Sequence, residues 1–130
     1  MAFDGRTVMV TGATGELGGT VVRRYLEAGA HVAAIARDHE KSEALRGEMA
    51  HLAGETDDLR FVVIEGDGAD RAAMDRAAEE VLRSWGRLDA LANLAGKYGR
   101  SDPWDLEAIE RSWAANVRSE ERRVGKECRL

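Results

Sequence analysis

The chain has one proline, one cysteine and three histidines among its 130 residues, and each scarcity removes a class of answer. With a single proline and 44% hydrophobic residues, it has the apolar material for a buried core and lacks the composition of a disordered segment. The lone Cys128 cannot close an intrachain disulfide. No second Cys and no His stands at ligand spacing from it, so neither a disulfide scaffold nor a metal site is expected. His31, His39 and His51 share no spacing that suggests a metal site or a catalytic base, and they read as surface residues. No apolar run approaches membrane-spanning length, and Met1 to Arg6 lacks the basic-then-apolar order of a signal peptide, which predicts a cytoplasmic chain with no membrane partner. The net charge is −5, with no excess of Lys and Arg to neutralise phosphates, so nucleic acid is not an expected partner.

What the chain does have is alternation. Apolar runs with strand chemistry occur at Thr7 to Val10, Val32 to Ile35, Phe61 to Ile64 and Leu88 to Asn93, separated by stretches of helical periodicity. Leu17, Val21, Tyr25 and Leu26 mark the first helix, which stops at Gly29. Leu45, Met49 and Leu52 mark the second. Met74, Ala78, Val81, Leu82 and Trp85 mark the third, which ends at Gly86. Leu106, Ile109, Trp113 and Val117 mark a fourth, with Asp105 as its N-cap. All four stripes read as core. Right-handed crossovers between successive strands give an α/β, doubly wound parallel sheet in the order 3-2-1-4, with a ligand crevice between strands 1 and 4 where the order reverses.

The chemistry starts at Thr11 to Gly18, T-G-A-T-G-E-L-G, between the first strand and the first helix. A pyrophosphate held at a helix N-terminus needs unpaired backbone N–H groups and no side chain in front of them. In that arrangement Gly12 makes the tight turn, Gly15 admits the phosphates to the backbone, and Gly18 lets helix and strand pack closely, with Thr14, Glu16 and Leu17 completing the loop. The pattern therefore predicts dinucleotide binding. Asp67-Gly68 follows the third strand and Asn93-Leu94-Ala95-Gly96 ends the fourth. Polar groups there point into the crevice, although Asp67 could equally initiate a turn or cap a helix, and Asn93 could satisfy loop backbone.

Together the octet, Asp67-Gly68-Ala69-Asp70 and Leu88 to Gly96 resemble the short-chain dehydrogenase/reductase superfamily over residues 5 to 117. The resemblance implies a Rossmann fold in which Asp67 hydrogen-bonds the adenine amino group beside Gly68, while Asn93, Ala95 and Gly96 lie beneath the cofactor. Trp113-Ala114-Ala115-Asn116-Val117 resembles the family's helix segment, which makes Asn116 a catalytic-site residue. The implied reaction is hydride transfer between nicotinamide and a small-molecule alcohol or carbonyl, in a full-length parent that is a homo-oligomer. Two features depart from the pattern. The glycine spacing T-G-x-x-G-x-x-G resembles the extended branch, which includes nucleotide-sugar epimerases, and Leu94 replaces the second Asn of N-N-A-G. The N-L-A-G and W-A-A-N-V segments favour the classical branch with a variant loop.

Cofactor choice is set after the second strand, where an acidic residue reads the ribose 2′-OH of NAD or an arginine accommodates the 2′-phosphate of NADP. Ala36-Arg37-Asp38 stands there. Arg37 favours NADP, while a shift of one residue at the strand end would present Asp38 and keep NAD open. The family's Tyr-x-x-x-Lys acid/base pair is missing, since Tyr25 precedes Gly29 by four residues and Tyr98 precedes Asp102. Residues 1–117 thus read as the cofactor-binding half of an oxidoreductase, inactive by itself. A dinucleotide-binding regulator without turnover is the alternative from another class, and a methyltransferase is disfavoured because its acidic ribose reader belongs where Ala36 and Arg37 stand.

At Arg118 the periodicity breaks off within the fourth helix. Residues 118–130 hold five basic and three acidic residues with no apolar face. Arg118-Ser119-Glu120-Glu121 is encodable by AGA-TCG-GAA-GAG, which resembles the start of a common short-read sequencing adapter. The segment is expected to be non-native read-through; a solvated charged tail is the plainer reading.

Overall fold

The computed structural model describes residues 2–54, 58–96 and 104–114. Thr7–Thr11 (β1), His31–Ala36 (β2), Phe61–Glu65 (β3) and Ala90–Asn93 (β4) form one sheet in the order β3-β2-β1-β4, with every pairing parallel. Glu16–Glu27 (α1), His39–Met49 (α2), Arg71–Trp85 (α3) and Leu106–Trp113 (α4) are the helices, and a 3-10 turn at Ala50–Leu52 extends α2. Strand order and alternation are those expected from the sequence.

A parallel strand covered on both faces is a near-continuous apolar run, and all five residues of β1 are buried, Val8 to Val10 with a threonine at each end. Its alternation still decides which layer each side chain joins. Val8 and Val10 meet Val22 and Leu26 of α1 and Leu45 and Met49 of α2 on one face. Met9 meets Met74, Ala77 and Val81 of α3 on the other. The register Val8↔Val32, Val32↔Phe61 and Val8↔Ala90 aligns the four strands so that their carboxyl ends share one edge. Gly29 and Gly86 both adopt positive φ just past α1 and α3, as their role as helix terminators requires.

Three helical stripes are corrected by one position or more. The buried line of α1 is Gly18, Val22 and Leu26, while Leu17 is 64% exposed. The reason is Gly18, whose bare Cα presses against the loop and centres the buried face on itself. In α3, Ala77 joins the core and Leu82 turns outward. In α4, Leu106, Ile109 and Trp113 are all exposed, Leu106 by 76%, so the core reading of that stripe fails among the described residues. Val117 and Tyr98 lie outside the described residues, as do Asn116 and residues 118–130.

β4 begins at Ala90, two residues later than the apolar run suggests, because Asp89 takes over the ladder. Its carboxylate accepts the Thr7 amide at 2.8 Å while its own amide donates to the Thr7 carbonyl at 2.9 Å. Arg87 donates to the same carboxylate through Nε at 2.8 Å and Nη2 at 2.5 Å, with Arg6 at 3.5 Å. The Arg87 hydrogen bonds, then the Thr7 amide, pull the Asp89 carboxyl from 3.8 down to about 2. A depressed carboxyl stabilises the fold fully above its unfolded value and loses that contribution as pH falls through the folded one. The unfolding midpoint should therefore drop between about pH 4 and pH 2, and Asp89→Asn should flatten that decline. Denaturant titrations at pH 5, 3 and 2 check it; an unchanged acid profile in the variant would show that the clamp is energetically idle.

Candidate cofactor-binding site

The carboxyl edge of the sheet gathers four loops: Gly12 to Gly15 after β1, Arg37 and Asp38 after β2, Gly66 to Asp70 after β3, and Leu94 to Gly96 after β4. The first and last touch directly. Gly12 has φ +65°, and a Cβ there would stand 2.6 Å from the Leu94 carbonyl carbon and 2.7 Å from the Ala95 amide. Gly12 is thus required twice, by its left-handed backbone and by the passage of the β4 end. Behind it, Thr11 Oγ1 donates to Asn93 Oδ1 at 2.8 Å, and the Leu94 amide donates to the Thr11 carbonyl at 3.2 Å. Asn93 is therefore anchored to β1 at the point where the strand order reverses.

Gly18 has a second packing duty. A Cβ on it would overlap the Gly12 carbonyl oxygen and stand 2.7 Å from Ala13 Cα, so the first turn of α1 lies directly against the loop. Gly15 is different in kind. It is the N-cap of α1 with φ −74° and ψ 168°, an extended conformation open to any residue, and a Cβ there would meet only the Gly12 carbonyl oxygen at an ordinary 3.5 Å. It is exposed, with Glu16 and Leu17 beside it and Thr14 half-buried.

The helix N-termini differ in how their amides are satisfied. Asp38 accepts the Lys41 amide at 3.0 Å, Asp70 the Ala72 amide at 3.1 Å, and Asp105 the Ala108 amide at 3.0 Å. α1 has no side-chain cap. Its first-turn N–H groups, which no intrahelical carbonyl can reach, face the edge where the four loops meet.

Arg37 follows the last residue of β2 and is exposed. Asp38, the residue that kept the alternative ribose reading open, is engaged as the cap of α2; its carbonyl also accepts Ser42 Oγ at 2.7 Å. Beside them His39 Nδ1 lies 2.5 Å from Glu65 Oε1, tying the start of α2 to the end of β3; this hydrogen bond, then the Glu65 charge, raises the His39 pKa. Asp67 forms the turn that its alternative reading describes: Oδ1 accepts the Ala69 amide at 2.9 Å and its carbonyl the Asp70 amide at 3.0 Å. Asp70, not Asp67, caps α3. Gly68, Ala95 and Gly96 lie at the same edge, whereas Asn116 lies outside the described residues. Sequence reasoning missed the Thr11–Asn93 bond and the Asp89 clamp, because each joins residues 82 positions apart and no local signal marks it. Among the described residues no helix is long and apolar enough to cross a membrane.

Residues 6–120 match the family model described as short chain dehydrogenase. The chain belongs to the short-chain dehydrogenase family. Within the family it is 37% identical over 94 residues to the D-threitol dehydrogenase of Mycolicibacterium smegmatis, a match covering 72% of this chain and 34% of that one. It is 35% identical over 89 residues to the NADP-dependent 3-hydroxy acid dehydrogenase of Salmonella typhi, covering 68% of this chain and 33% of that one. A solved short-chain dehydrogenase/reductase of Serratia marcescens superposes with a TM-score of 0.83 at 28% identity, covering 99% of this chain and 52% of that one. The chain thus spans about a third of these two curated relatives and about half of that solved member of the family.

Proposed function

We propose that this chain is the NADP(H)-binding half of an oxidoreductase that transfers hydride between nicotinamide and an alcohol or carbonyl. The observation that carries the reading is the uncapped N-terminus of α1 behind Gly15, set at the sheet edge where Asn93 is anchored to β1. The geometry fits a pyrophosphate, because among the described residues only the Gly12 carbonyl oxygen, at an ordinary 3.5 Å, stands before Gly15, while Gly12 and Gly18 are closed. In this reading the amides of the loop from Thr14 to Gly18 hold the pyrophosphate, Asp67 and Gly68 the adenine, and Asn93, Ala95 and Gly96 support the nicotinamide half. Asn116 belongs to the catalytic group. The bound nicotinamide supplies the hydride; the proton donor belongs to sequence beyond this chain, since Tyr-x-x-x-Lys is missing from it. The half-length match to a solved relative supports that division. We assign residues 1–117 to the domain and residues 118–130 to non-native read-through, and infer a cytoplasmic, homo-oligomeric parent. A sensor without turnover is the second reading, favoured by the same missing pair.

NADP is preferred over NAD because Arg37 is exposed directly after β2 while the Asp38 side chain caps α2. A charge-assisted contact from a guanidinium to a 2′-phosphate contributes on the order of 1.5–3 kcal/mol. Arg37→Ala should weaken NADPH about ten- to a hundredfold and leave NADH nearly unchanged. Calorimetry with both nucleotides checks it, and equal losses would reject the assignment.

A further inference from the structure

Resting on that NADP(H) reading, we propose that Lys41 is a second, specificity-determining cation for the 2′-phosphate, placed at the mouth of a groove between α1 and α2. The groove holds about 340 Å³ and runs from Thr14 and Gly15 of the phosphate loop along the facing sides of the two helices. Lys41, Leu45 and Glu48 line it from α2 at i, i+4 and i+7, one helical face. From α1 it is lined by Gly19, where a Cβ would meet nothing within 4 Å, and by Arg23.

The charges along the groove are sorted by position. Farther along it Arg23 Nη2 meets Glu48 Oε1 at 2.6 Å, so that cation is engaged with a carboxylate. At the near end Lys41 donates its backbone amide to the Asp38 cap. Its ammonium has no ion-pair partner among the described residues. The cap fixes the Lys41 backbone in the first turn of α2, four residues after Arg37 at the β2 end, although Arg37 does not itself line the groove. In this proposal a ribose phosphate held beside the loop is met by Arg37 from the β2 end and by Lys41 from the mouth of the groove. The flexible lysine stem suits a point contact to a phosphate oxygen, where Arg37 supplies the planar fork. Glu16 lines the same mouth and opposes the approach of an anion, which keeps the expected effect of Lys41 below that of Arg37.

The test uses the 130-residue chain and two probes that differ only in the 2′-phosphate: adenosine 2′,5′-bisphosphate and adenosine 5′-monophosphate. Calorimetry gives their affinity ratio without any need for turnover. Lys41→Gln should lower the ratio about three- to tenfold, with Lys41→Arg restoring it and the loss shrinking as salt rises. The effect should add to that of Arg37→Ala. An unchanged ratio in Lys41→Gln, in a chain where Arg37→Ala lowers it, would overturn the role of Lys41 alone. A ratio near unity in the unsubstituted chain, or no binding of either probe, would overturn the NADP reading and this inference with it.

Discussion

No turnover of alcohols or carbonyls is expected from the 130-residue chain with either nicotinamide, whereas a longer chain continuing through the genomic sequence after Val117 should turn over substrate. Reduction of a carbonyl builds alkoxide charge that a placed acid must neutralise, and losing that acid costs about 10²–10⁴ in rate. The chain has two tyrosines, Tyr25 and Tyr98, and neither is followed four residues later by lysine. Tyr25 is further disqualified by position: it is half-buried on α1 against the first core layer, with its ring edge-on to Phe3 at 5.4 Å, away from the cofactor edge. A carbonyl panel followed by nicotinamide fluorescence, run on both chains, reads the difference. Turnover by the 130-residue chain would reject the half-domain reading; inactivity of the longer chain alongside intact nucleotide binding would select the sensor. Resequencing of the locus belongs to the same experiment, because genomic codons encoding residues 118–130 in place would show that the segment is native.

The parallel order was legible because each strand is short, apolar and followed by a helical pattern, and handedness leaves few topologies for that alternation. Two of the loop glycines were legible for reasons the fold supplies: Gly12 needs a left-handed backbone and Gly18 leaves no room for a Cβ. What escaped the sequence are contacts whose partners lie far apart in the chain. Asp89 binds the Thr7 amide across 82 positions, and nothing local in Arg87-Leu88-Asp89 announces it. The α4 stripe was read as core since periodicity reports that a face is apolar and not what covers it. Leu17 was misplaced for a related reason: hydrophobicity favoured a leucine over the neighbouring glycine, while the loop's close approach put Gly18 at the centre of the buried face. Asp38, Asp67 and Asp70 show the same limit among polar residues. Each stands between a strand's carboxyl end and the next helix, where the sequence offered Asp38 and Asp67 as ligand carboxylates; Asp38 and Asp70 are engaged as helix caps and Asp67 in a turn.

The glycines of the octet should separate when substituted, one breaking the fold and another breaking only binding. Gly18→Ala forces a Cβ onto the Gly12 carbonyl oxygen and Ala13 Cα, both backbone atoms of a loop already packed against the β4 end. Backbone cannot rotate away as a side chain could. Overpacking of this kind costs about 3 kcal/mol, enough to move Tm by roughly 10 °C in a domain of this size. Gly15→Val meets no such barrier. Its φ and ψ lie in the region that β-branched residues favour, and its Cβ would sit at 3.5 Å from the nearest atom, so the fold gives no reason for glycine there. If glycine is there for a ligand, Gly15→Val should keep a near-native melting curve while losing NADPH and NADH together, by more than about a hundredfold, because the added methyls occupy the line of approach to the α1 amides. Thermal melts and calorimetry on the two variants decide it. Retained nucleotide affinity in Gly15→Val would move the pyrophosphate away from α1 and with it the whole assignment of the site.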